Sequence, residues 1–181
     1  CLDARTDGKR IESVTGWQLQ SERYHTVRAR WFADCSGDGI LAPLTGAESR
    51  YGREAQSEYQ EKNAPQEADS MTMGHSLMFS VRHCGHPVRF TPPAWANRYE
   101  RCEDLPYGLG GHNHGWFDDK IGYWWLELGG ENDTIGETEL LRDELLKVVY
   151  GVWDHLKNHC ANREKVAEYT LDWLQFLPAK R

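Results

Sequence analysis

Apolar residues at helical spacing dominate the C-terminal part of the sequence. Leu141, Leu145, Val148, Val149, Val152, Trp153 and Leu156 recur every three or four positions and fall on one face of an α-helix. The pattern predicts one long helix over residues 138–158, with Thr138 as its cap. A stripe of this kind has to be covered. The segments 71–81, 86–90, 121–128 and 169–177 are rich in β-branched and aromatic residues and are read as strands. A mostly antiparallel sheet covered by one long helix solves the burial problem for both faces, so the fold class is α+β.

The first third reads differently. Residues 11–19 and 24–33 are β-rich, with Asp7-Gly8 and the polar stretch 20–23 as turns. The second of these strands ends in a continuous apolar run, Trp31-Phe32-Ala33, which predicts a β-meander feeding a buried strand. Gly-rich sequence and a short helix pattern follow, with Pro43 near the first turn and Gly46 as a stop. Residues 50–70 are polar and are read as a short surface helix and a loop.

Composition excludes several classes. The net charge is −7, which argues against binding driven by nucleic-acid phosphates. No apolar run reaches the length of a membrane-spanning helix. The five cysteines, Cys1, Cys35, Cys84, Cys102 and Cys160, are odd in number and widely spaced. They form neither a disulfide framework nor a paired zinc motif, and they lean towards a reducing, cytoplasmic interior. The sequence therefore assigns no metal site. It begins at Cys1 without Met and ends directly after the apolar stretch 171–177, so the expectation is an internal fragment.

The segment with most chemical content is Asp34-Cys-Ser-Gly-Asp-Gly39, placed between a strand and a helix. Glycines there let a backbone approach a ligand closely, and an Asp can accept a hydrogen bond from a ribose or ribitol hydroxyl. The helix start behind the turn favours an anion.

The stretch Ala33-Asp-Cys-Ser-Gly-Asp-Gly-Ile-Leu-Ala42, followed by Thr45-Gly-Ala-Glu48 and Tyr51-Gly-Arg-Glu54, resembles the second flavin-contacting segment of FAD-dependent oxidoreductases. These are flavoproteins of the glutathione-reductase-like, two-dinucleotide-fold type, and some bacterial members are labelled xanthan lyase related. The resemblance continues through Thr72-Met-Gly-His-Ser-Leu77, the block 121–130, Arg142-Asp-Glu-Leu-Leu146, the block 149–158 and Phe176-Leu-Pro-Ala-Lys-Arg181.

The resemblance implies a flavoprotein oxidoreductase that passes hydride from an organic substrate to FAD. It implies that Ser36, Gly37, Asp38 and Gly39 contact the cofactor. Residues 1–50 would be the C-terminal part of an FAD-binding domain, and 51–181 a substrate-side or cap domain. The family's pyrophosphate-binding G-x-G-x-x-G is missing. Gly108-Leu-Gly110 has Asn113 where the third glycine belongs. The isolated chain is thus expected to be inactive and to lack FAD. The expected partner is a small-molecule substrate, with no nucleic acid and no membrane. Association between copies through exposed strand edges is a further expectation.

Other constellations compete. His112 and His114, in a Gly-rich loop, are candidate acid–base groups on the substrate side. With His75, His83, His86 or Cys84 they can also be imagined around a metal, but no paired ligand spacing supports that. Asp118, Asp119 and Glu127 can be read as glycosidase carboxylates or as an exposed charged face. Arg50 and Arg53 suit a phosphate, or surface ion pairs with Glu48 or Glu54. The aromatic run Tyr123-Trp124-Trp125, with the histidine loop, supports an alternative: a non-catalytic carbohydrate- or partner-binding domain.

Overall fold

A computed structural model describes residues 1–106 and 126–180, which fall into two compact units, Cys1–Ser70 and Met71–Arg181. The first unit opens with the expected meander. Strands β1 (Asp3–Thr6), β2 (Ile11–Gln18) and β3 (Arg23–Arg28) pair antiparallel in that order. Asp7 closes the first hairpin, its carboxylate accepting the amide N–H groups of Lys9 and Arg10 at 2.8 Å each. Cross-strand partners support the second hairpin. Trp17 and Tyr24 face each other with ring centroids 4.7 Å apart, and the Thr15 and Thr26 hydroxyls lie 2.9 Å apart.

The expected buried strand at Trp31-Phe32-Ala33 does not form. Residues 29–35 are irregular, and Trp31 is 89% exposed. A strand needs a ladder partner for its backbone groups. Among the described residues, the first unit contains one sheet, made of β1, β2 and β3. The short helix does form, as α1 (Leu41–Thr45), and Gly46 ends it. The polar stretch holds α2 (Gln56–Tyr59), and its ends meet where Arg53 and Asp69 exchange backbone hydrogen bonds of 2.9 and 3.0 Å.

The second unit is built on α3 (Thr138–Asp154). All seven residues of the apolar stripe are buried, and most join Leu77, Leu105, Leu126 and Val166 in one core. Thr138 is the first helical residue and not the cap. Its hydroxyl donates back to the Thr134 and Ile135 carbonyls, at 2.8 and 2.9 Å, and Glu137 holds the cap position.

Among the described residues, two small antiparallel sheets pack on the helix core where a single one was expected. In the first, β4 (His75–Ser76) lies between β6 (Glu127–Leu128) and β8 (Ala179–Lys180). In the second, β5 (Phe79–His83) pairs with β7 (Tyr169–Leu174). The register sets Phe79 against Leu174 and Val81 against Leu171, and all four pack on the core. Residues 86–90 are not a strand, although the Val88 amide donates to the Ala167 carbonyl at 2.9 Å. Pro87 lacks the donor a ladder would need there.

Past α3 the chain widens into one π-helical turn, His155–His159, closed by the Cys160 amide donating to the His155 carbonyl at 2.7 Å. Lys157 fastens this turn to the strand side. Its buried ammonium donates to the carbonyls of Val166, Ala167 and Tyr169 at 2.8–2.9 Å.

Candidate functional site

The turn between β3 and α1 is organised by Asp34. One carboxylate oxygen accepts both the Ser36 amide, at 2.9 Å, and the Ser36 hydroxyl, at 2.6 Å; the other accepts the Leu41 amide at 2.8 Å. The Ser36 hydroxyl oxygen in turn accepts the Asp38 amide at 3.3 Å. This is an Asx turn extended to the first residue of a helix. The Leu41 and Ser36 hydrogen bonds hold the Asp34 carboxyl below the usual carboxylate range.

Gly37 and Gly39 have φ of +87° and +61°, a region that side chains rarely enter. A Cβ built on either meets no atom within 4 Å, so the surface over both is open. Asp38, between them, is half-buried. Beside the turn lies an apolar cavity of about 270 Å³, bounded by Val14, Val27, Phe32 and Leu41 and edged by Asp34 and Ser36. The arrangement presents a hydrogen-bonded loop edge, open over its two glycines, next to an apolar recess.

Residues 1–179 match the family model described as FAD dependent oxidoreductase. The chain belongs to this family. No curated protein and no solved structure matches it. FAD is the cofactor of the intact family protein, and oxidoreduction is its general chemistry. The turn at Asp34 fits such a cofactor in one observable respect. It offers glycine backbone with nothing standing over it, which an extended ligand needs for close approach.

The remaining sequence candidates that fall on described residues do not form one site. His112, His114, Asp118, Asp119 and the run Tyr123-Trp124-Trp125 lie outside the described residues. Glu127 accepts the Gly74 amide at 3.1 Å, a structural contact between β6 and the start of β4. Arg50 and Arg53 do make ion pairs, with Glu58 and Asp69 respectively. His75 is buried, its Nε2 2.6 Å from the Thr134 carbonyl oxygen, while His83 pairs with Glu168 at 2.8 Å. These histidines are not gathered around a common centre.

A different group is gathered. The Sγ atoms of Cys102 and Cys160 and a ring nitrogen of His155 all lie within 4.8 Å of one another. Sequence reasoning missed this cluster because Cys102 is remote from the other two in sequence, and a His followed five residues later by a Cys is not a helical ligand pair. The role of Asp34 was missed as well. Its signal was an Asp two residues before a Ser, the start of an Asx turn.

Proposed function

We propose that this chain supplies the FAD-side turn and the substrate-side region of a flavoprotein oxidoreductase. The chemistry FAD supplies when bound is acceptance of a hydride from an organic substrate. Ser36, Gly37, Asp38 and Gly39 form the cofactor-contacting edge. Asp34 orients that edge by holding Ser36 and Leu41, so the loop has little entropy left to lose on binding. Asp38 accepts a hydroxyl of the cofactor's sugar or ribitol portion. The second unit shapes the substrate pocket, and His112 and His114 are the assigned acid–base groups, on the ground of their residue type alone.

The observation that carries the reading is the pairing of two open, positive-φ glycines with a carboxylate that pins the turn from both ends. The 181 residues contain no G-x-G-x-x-G, so the pyrophosphate cradle is assigned to polypeptide outside them. The isolated chain is therefore inactive.

The test is a visible absorption spectrum after adding excess FAD and removing what is unbound. Residues 1–181 are expected to be colourless, and a longer polypeptide carrying the cradle is expected to keep a flavin band. A colourless longer protein overturns the flavoenzyme reading. A band kept by residues 1–181 alone overturns the assignment of the cradle to other polypeptide.

A further inference from the structure

The second unit contains a cluster of metal-ligand chemistry that the oxidoreductase reading does not use. Cys102 opens a short 3₁₀ turn, Cys102–Asp104, shortly after the irregular segment that crosses α3 at Lys147 and Gly151. His155 opens the π-helical turn and Cys160 directly follows it. That turn is what brings them together. In an α-helix, residues five apart point to different sides, whereas the wider π turn bonds residue i to i+5 and returns the chain to the same side. His155 is fully buried and Cys160 is 1% exposed; Cys102 is half-buried.

The second layer of contacts is that of a ligand set. His155 Nδ1 sits 2.7 Å from the Tyr99 carbonyl oxygen, which can only accept a hydrogen bond. Nδ1 therefore carries the proton, and the Nε2 lone pair points at the cluster. Cys102 Sγ lies 3.7 Å from that Nε2. The Asn162 amide donates to Cys160 Sγ at 3.3 Å, a contact suited to a thiolate. A tetrahedral zinc ion with ordinary bond lengths holds S and N about 3.5 Å apart and two sulfurs about 3.8 Å apart. The Cys102–His155 separation of 3.7 Å is already close to this, and the other two, within 4.8 Å, have to shorten by at most about 1.3 Å. Two thiolates and an imidazole select a soft or borderline ion and disfavour magnesium or calcium.

We propose that Cys102, His155 and Cys160 bind one zinc ion, with a water or exogenous ligand at the fourth position. Binding displaces the two thiol protons to solvent and leaves His155 neutral, protonated at Nδ1. The ion ties the 97–105 segment to the end of α3 and thereby stabilises the second unit.

The experiment uses the full chain, reduced, stripped with a chelator and then loaded with zinc, or with cobalt(II) as its spectroscopic stand-in. The expected result is one equivalent of zinc bound. Cobalt should give thiolate charge-transfer absorption together with the intense visible bands of a tetrahedral site. A variant with Cys1, Cys35 and Cys84 all changed to Ser leaves the cluster untouched and is expected to keep both signals. Cys102→Ser, at the half-buried position, is expected to lose the charge-transfer band of one thiolate and to lower zinc affinity by roughly 100-fold, at least the upper end of second-shell losses. Because the triple variant alters only cysteines outside the core, its result stands even where Cys102→Ser fails to fold. Absence of stoichiometric binding by the reduced chain overturns the proposal. So does loss of the cobalt spectrum in the triple variant, or a Cys102–Cys160 disulfide that persists under reducing conditions.

Discussion

The Asp34 carboxylate accepts the Leu41 amide N–H at 2.8 Å, seven residues further along the chain. The same side chain holds Ser36 through both its amide and its hydroxyl. One carboxylate thus closes the turn and satisfies a donor at the start of α1, which would otherwise lack an intrahelical partner.

This arrangement sets a pH dependence. The Asp34 pKa is lowered chiefly by the Leu41 amide and then by Ser36. The open turn therefore binds a proton more readily than the closed one. The stabilisation is complete above about pH 3.9, the ordinary aspartate value, and is lost as the pH falls through the lower folded value. An NMR titration of the Ser36 and Leu41 amides should give a midpoint below about 3.9. A midpoint at or above that value would show that these hydrogen bonds do not form.

Gly37→Ala and Gly39→Ala should each weaken the turn by about 1–2 kcal/mol, the cost of a left-handed conformation for a residue with a Cβ. Space is not the obstacle, since nothing stands within 4 Å of either added Cβ. Asn, which tolerates this region better, should be milder than Ala at both positions. Amide hydrogen exchange at Leu41 measures the effect. Equal exchange in the Ala and Asn variants would contradict the backbone explanation.

Lys157→Met should cost the second unit about 3 kcal/mol, because the methyl-capped chain fills the space but leaves three carbonyls without their donor. Urea denaturation followed by tryptophan fluorescence would detect this, since Lys157 also lies over the Trp153 ring at 5.8 Å. A loss under about 1 kcal/mol would mean that water or other donors replace the ammonium.

Gly151→Ala reverses the usual sign for a helix. Alanine in a helix interior is ordinarily favoured over glycine by about 0.8–1 kcal/mol. Here the new Cβ would run into the Asn97 carbonyl and lie 2.8 Å from Tyr99 Cε2. The backbone of the crossing segment has to move, and a net loss of about 1–3 kcal/mol is expected. Thermal melting of the variant decides it; an unchanged or raised midpoint would show that the crossing is loose.

Much of the local chemistry was legible where the partners lie close in sequence. The α3 stripe from Leu141 to Leu156 is one example, because helical periodicity depends on the helix alone. The β1–β2–β3 meander is another, with Asp7-Gly8 and residues 20–23 as turns between neighbouring strands. Thr138 shows the limit of such reading. A hydroxyl at a helix start can cap forward or bond backward, and its bonds to Thr134 and Ile135 took the second course. Trp31-Phe32-Ala33 shows another limit, because an apolar run becomes a strand only where a neighbouring strand pairs with it.

By itself the sequence determined the family, the α+β class, the long helix with its buried face, and the glycine turn at 36–39. Each of these follows from residue order within a short window or from several motifs in a fixed order. The tertiary structure was needed for the strand pairing of the second unit, for the pairing of Arg50 and Arg53 with Glu58 and Asp69, and for the meeting of Cys102 with His155 and Cys160. The physical reason is shared. Most of these contacts join residues beyond the reach of a local turn or helix period, and one of them depends on a π turn that no spacing rule announces.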